Sequence, residues 1–181
     1  MIVYNKEEKN KIIKAFLDNK IVIMLTDTVY GIMAVANKDN ELRINKIKRS
    51  NLDKKISVIF PNKNLLNKYI DNISSDKWKL IDNKLPGKYT FIVNLKSFSD
   101  FKRKDFGIRI TGNCYLQDIL EDVGSVLASS CNISGENICN SFEEIKNVFG
   151  NEDVVVVKDI NATSGASTII DIRDDVKVIR N

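Results

Sequence analysis

Four short segments of the 181-residue chain gather small polar or basic residues, and each could handle an anion. Thr26-Asp27-Thr28-Val29-Tyr30-Gly31 sets two hydroxyls and a carboxylate directly after the apolar run 21–25. Strand ends in α/β sheets are where ligands bind, although polar turns also serve there as plain connections. Lys46, Lys48 and Arg49, with Lys54 and Lys55 just beyond, form a cluster whose cations would satisfy phosphate oxygens. The same charges at the end of a helix also simply complement its dipole. Ala128-Ser129-Ser130-Cys131-Asn132-Ile133-Ser134-Gly135 runs into hydroxyls, an amide and a glycine, the composition of an anion-cradling nest or of an ordinary polar loop. Ser164-Gly165-Ala166-Ser167-Thr168 repeats that chemistry ahead of Ile169-Ile170-Asp171.

Composition narrows what these segments can do. The chain has no histidine, which excludes Ser-His-Asp and Cys-His nucleophile systems and any histidine-ligated zinc or haem. Cys114, Cys131 and Cys139 are odd in number and lack C-x-x-C spacing, which argues against a disulfide framework or a zinc site. Gly87-Lys88 has Asp82 where a P-loop needs its upstream glycine, and no dinucleotide fingerprint occurs. The net charge of +4 hides a gradient. Residues 1–104 hold 22 Lys/Arg against 11 Asp/Glu, and residues 105–181 hold 6 against 13. A basic half suggests nucleotide phosphates or nucleic acid, or a lysine-rich solvated surface. Met1-Ile2-Val3-Tyr4-Asn5-Lys6 opens no signal peptide, and the apolar runs 21–25 and 32–36 fall far short of the ~20 residues that span a bilayer. A soluble, cytoplasmic protein without membrane contact is expected.

The elements that must position these segments follow from periodicity. Ile12, Ile13, Phe16 and Leu17 predict a helix over 6–19, and the spacing predicts strands at 21–25 and 31–36. Asp39 is placed to cap a helix running to about Lys48. Further strands are predicted at 56–60, 89–95, 107–110, 126–129, 153–157, 168–172 and 176–180, with helices at 64–72, 75–83, 115–123 and 141–149. This interleaving predicts one α/β domain over residues 1–181 with a mixed, twisted sheet.

Taken in order, the segments resemble the YrdC-like family of threonylcarbamoyl-AMP synthases, whose motifs read P-T-D-T-V-Y-G, K-x-R with D-K, P-G-P-x-T, G-x-R-x-P, S-A-N-x-S-G, P-S-T-V-x-D and I-L-R. Here they stand as Thr26 to Gly31, Lys48-Arg49 with Asp53-Lys54, Pro86-Gly87-Lys88-Tyr89-Thr90, Gly107-Ile108-Arg109-Ile110-Thr111, Ser130 to Gly135, Ala166 to Asp171, and Val178-Ile179-Arg180. The match runs from about residue 21 to the last residue and is to the short form, without the appended C-terminal domain of longer relatives. Leu25, Lys88, Thr111 and Ala166 replace the family's prolines. At K-x-R, aligning Lys48 leaves Ser50 at the usual arginine, whereas a one-residue insertion puts Arg49 there.

The resemblance implies a single concave α/β domain with a twisted, largely parallel sheet and a basic cavity. It implies synthesis of L-threonylcarbamoyladenylate from L-threonine, bicarbonate or CO2, and ATP, with release of pyrophosphate. The product would feed the transferase machinery that makes the t6A modification of tRNA. Thr28, Arg109, Ser130 and Ser167 are then expected around threonine. Lys48, Arg49, Lys54, Asn132, Ser141 and Arg180 are expected around ATP, with Lys48 and Arg49 stabilising phosphate charge. Mg2+ would come with ATP, and no protein side chain is assigned to the metal. A rival reading from the charge gradient alone is a non-catalytic RNA-binding module, but no aromatic-rich stretch is interleaved with the lysines. Carbamoyl transfer inside a hydrogenase-maturation protein would need acylphosphatase and zinc-finger segments that these residues lack.

Overall fold

The computed structural model describes residues 1–160, 162 and 165–181. Its elements alternate as the periodicity predicts: β1 (Ile2–Asn5), α1 (Lys9–Leu17), β2 (Ile21–Leu25), β3 (Tyr30–Val35), α2 (Lys38–Ile47), β4 (Ser57–Ile59), α3 (Lys63–Tyr69) and α4 (Ser75–Lys84). Then follow β5 (Tyr89–Asn94), β6 (Asp105–Arg109), α5 (Cys114–Val123), β7 (Val126–Ser130), α6 (Phe142–Phe149), β8 (Val154–Lys158), β9 (Thr168–Asp171) and β10 (Lys177–Arg180). Strand β1 was not predicted. Its burial is slight, so it lacks the apolar alternation that marks a strand in sequence. Helix α2 starts two residues earlier than expected, because the Asn37 side chain, rather than Asp39, accepts the capping bond from the Asn40 N–H at 2.8 Å.

The strands form one sheet in the order β1-β8-β2-β3-β7-β4-β6-β5-β9-β10. It is mixed, as expected, but only partly parallel. Among the described residues, β1–β8, β2–β8, β4–β6 and β5–β9 pair parallel, while β2–β3, β3–β7, β4–β7, β5–β6 and β9–β10 pair antiparallel. Alternation tells a strand which residues face apart, but not which neighbour it will take.

Both faces of the centre are covered, so its strands are apolar throughout. On one face Ile23, Ile32, Val58, Phe91, Ile108 and Leu127 pack with Ile44 of α2, Leu66 of α3, Ile81 of α4 and Phe149 of α6. On the other, Val22, Met24, Met33, Val126 and Val155 pack with Phe16 of α1 and Leu120 of α5. Helices α1 and α5 cover only part of that second face. Beyond them the register sets Gly31 beside Ser130, Ser57 beside Ala128, and Thr90 beside Ile169. Gly31, Ser57, Thr90, Ala128 and Ser130 are small where their neighbours on the opposite face include Ile32, Val58 and Phe91, and the sheet is therefore hollow there.

Candidate active site

That hollow is a cavity of about 290 Å³. Its lining includes Thr26, Thr28, Gly31, Lys54, Lys55, Ser57, Thr90, Arg109, Ser130, Ser167 and Arg180. Gly107 keeps its floor open. A Cβ there would lie 2.5 Å from Ser57 Oγ and 3.2 Å from Thr90 Cγ2, so even alanine would force Ser57 aside.

Arg109, at the end of β6, is 7% exposed. Its Nη2 pairs with Asp27 Oδ1 at 2.6 Å, Nη1 donates to Thr28 Oγ1 at 3.1 Å, and Nε donates to the Gly87 carbonyl at 3.2 Å. A guanidinium carries more donors than these bonds use, which leaves N–H groups for a carboxylate in the cavity. Burial lowers the Arg109 pKa, while the Asp27 charge opposes the shift. Asp27 accepts two further bonds. Oδ1 also accepts from Thr111 Oγ1 at 2.6 Å, and Oδ2 accepts the Gly112 N–H at 2.8 Å. Thr111 stands where the resemblance has proline, so this chain gains a hydroxyl on Asp27 that proline cannot supply.

Thr26 Oγ1 donates to the Val29 carbonyl at 2.8 Å, which spends its only proton. The 2.9 Å contact between the two threonine hydroxyls is therefore donated by Thr28, whose lone pairs remain for Arg109. Ser167, 7% exposed, shares a 2.9 Å hydrogen bond with Thr90 Oγ1, and its carbonyl accepts from Arg180 Nη2 at 2.7 Å. Ser164, the first residue of that predicted segment, lies outside the described residues.

Six of the expected residues meet in this one cavity: Thr28, Lys54, Arg109, Ser130, Ser167 and Arg180. Four do not line it. Lys48 is 2% exposed, and its Nζ donates to the Ser130 carbonyl, to the Asn132 carbonyl at 2.7 Å and to Asn132 Oδ1 at 2.9 Å. Its ammonium is thus turned into the 130–134 loop behind the cavity wall, and burial pushes its pKa down to about 8. Asn132 accepts from Ser130 Oγ at 2.8 Å and donates to the carbonyls of Ile133 and Glu136 at 2.9 and 2.8 Å, knotting the same loop. Ser141 is the N-cap of α6, its hydroxyl accepting from the Glu144 N–H at 3.3 Å. Arg49 is exposed just past α2, at φ 51°. The motifs passed over Asp27, Ser57, Thr90 and Lys55 as site residues. Of these, Lys55 is ion-paired to Asp105 at the rim.

A family model described as "Telomere recombination" (Sua5, yciO and yrdC) matches residues 14–181. The chain belongs to the Sua5–YciO–YrdC family. A relative from Methanocaldococcus jannaschii named "Putative threonylcarbamoyl-AMP synthase" is 35% identical over 181 residues, covering 94% of this chain and 85% of its own. Among solved structures, P. abyssi Sua5 complexed with L-threonine superposes with a TM-score of 0.91 over 99% of this chain at 19% identity. This chain spans just over half of that longer protein, 57%. E. coli YciO superposes with a TM-score of 0.86 at 22% identity, over 99% of this chain and 93% of its own. Both superpositions show that the fold described above is the fold of the Sua5–YciO–YrdC family. In the described residues no helix is long and apolar enough to cross a membrane.

Proposed function

We propose that the chain synthesises L-threonylcarbamoyladenylate from L-threonine, bicarbonate or CO2, and ATP, releasing pyrophosphate. The observation that carries this reading is the polarity of the cavity. A buried, carboxylate-held arginine stands in its wall, and the exposed cations Lys54 and Arg180 edge its rim, Arg180 close enough to Arg109 for the two charges to repel. A zwitterionic amino acid suits the first setting and a polyphosphate the second.

The chemistry suits a chain without histidine. The unprotonated threonine amine attacks CO2 and loses a proton to become a carbamate, and a free α-amino group titrates near pH ~8. One carbamate oxygen, already anionic, then attacks the α-phosphorus of ATP. The bond to the β-phosphate oxygen breaks, and pyrophosphate leaves with its electron pair. The protein's work is to hold the two reactants in line and to neutralise phosphate charge. In this reading Arg109 takes the threonine carboxylate, with Thr28, Ser130 and Ser167 around its polar atoms. Lys54, Arg180 and the outlying Arg49 take the phosphates, while Lys48, Asn132 and the Ser141 cap act from behind by holding the 130–141 loop.

Mg2+ enters as part of the substrate, MgATP. Among the described residues the cavity lining contains no carboxylate, and no three Asp, Glu or Cys side chains cluster as metal ligands. The adenylate would serve the tRNA threonylcarbamoyl-transferase machinery of the cytoplasm. The test is direct: incubate the protein with MgATP, L-threonine and bicarbonate, then measure pyrophosphate and the adenylate. Formation of both only when all three reactants are present is expected. Pyrophosphate release that ignores omission of threonine or bicarbonate would overturn the reading, as would salt-sensitive RNA binding without turnover.

A further inference from the structure

Helix α2 turns an unusual face inward. Glu41, Asn45 and Lys48, spaced along one face, are 1%, 1% and 2% exposed, where an amphipathic helix ordinarily presents apolar side chains. Each is committed to backbone of the cavity walls. Glu41 accepts the Ile56 N–H at 3.1 Å while paired to Arg103, and Lys48 gathers the 130–132 carbonyls. Asn45 lies between them. Its Nδ2 donates to the carbonyl of Leu52 at 3.1 Å and to that of Lys54 at 2.7 Å, and its Oδ1 accepts from Ser50 Oγ at 2.9 Å.

Residues 51–55 are exposed and belong to neither helix nor strand, so no ladder fixes their path. Asn45 therefore pins the 50–54 segment at three points from below. The Lys54 ammonium is held at the other end by Ser134 Oγ at 3.2 Å, on the loop that Lys48 fastens.

We propose that Asn45 is a positioning residue for phosphate binding: by holding the Lys54 backbone it fixes where the Lys54 ammonium stands on the cavity rim. This rests on the reading of Lys54 as a contact of ATP. Four proteins test it by calorimetric titration with MgATP and, separately, with L-threonine: the parent, Asn45→Leu, Lys54→Ala and the double variant. Asn45→Leu removes both donors at similar volume, and the expected loss of ATP affinity is about tenfold. Threonine affinity should stay within about twofold, because the Arg109 wall shares no partner with Asn45. In the Lys54→Ala background the Asn45 substitution should cost almost no further ATP affinity.

Three results overturn the proposal: unchanged ATP affinity in Asn45→Leu, an equal loss for both ligands, or an undiminished loss on top of Lys54→Ala. Should Asn45→Leu not fold, Asn45→Asp keeps the shape and the Ser50 acceptor while aiming an oxygen at two carbonyls. It must give the same pattern. A parent protein that binds no MgATP refutes the functional reading itself, whereas a parent that binds it and an Asn45→Leu that binds it equally refute only the positioning role.

Discussion

The wall and the rim of the cavity manage charge in opposite ways. In the Arg109 wall each charge is buried and met: Asp27 takes the guanidinium, the Thr111 hydroxyl and the Gly112 N–H, and side-chain exposures are 9% and 11% for the pair. At the rim Lys54 and Arg180 are exposed, as is Arg49 outside the lining, and among the described residues no carboxylate pairs with them. The first arrangement is prepaid in desolvation and fixed in direction, which suits a small ligand of one shape. The second keeps its cations hydrated and free of carboxylate partners, which suits a polyanion that enters and leaves.

The largest effect that can break this comparison comes from Arg109→Ala. It strands the Asp27 charge in a nearly dry corner, so a stability loss of about 3 kcal/mol is expected by urea unfolding. Threonine affinity should fall about a hundredfold or more, because a charged hydrogen-bond partner is lost from an enclosed site. Threonine binding close to the parent's would show that the buried pair is scaffold only. Arg49→Ala should give an intermediate effect: ATP affinity about tenfold weaker, unfolding unchanged, and a loss that shrinks as salt is raised. Equal ATP affinity in variant and parent would remove Arg49 from the phosphate contacts.

A third effect, read in stability against pH rather than in affinity, concerns Lys48, a cation that behaves like the Arg109 wall because it is buried. The unfolded chain holds its proton up to about pH 10.5, whereas the folded chain releases it near 8. Unfolding in that window takes up a proton, so stability rises as the pH climbs through it. Lys48→Met should abolish this part of the slope, measured as the difference in urea midpoint between parent and variant across pH 8 to 10. An unchanged slope in the variant would assign it to another group.

Much of the site was legible because the motifs concentrate at strand ends. Thr28 follows β2, Arg109 ends β6, Ser130 ends β7 and Ser167 precedes β9, and the topology brings those ends to one hollow. Lys48 does not line the cavity, for a physical reason. A lysine at the end of a helix is ordinarily solvated, and only the 130–134 loop folding across it supplies the carbonyls that bury it. Ser141 also lies outside the lining, as the cap of α6, since a hydroxyl ahead of an apolar run serves equally as a ligand or as a helix cap. Thr111, which replaces a family proline, donates its hydroxyl to Asp27, a partner 84 residues away.

The sequence by itself determined the α/β alternation, the chemistry of the anion-handling segments and the absence of a histidine base, because periodicity and residue type are local properties. Tertiary structure alone decided that the sheet is only partly parallel, that small residues from neighbouring strands line up into a hollow, and that Lys48 is buried while Lys54 stays exposed. Those outcomes depend on which strand lies beside which and on what covers each face, and neither is encoded within any one segment.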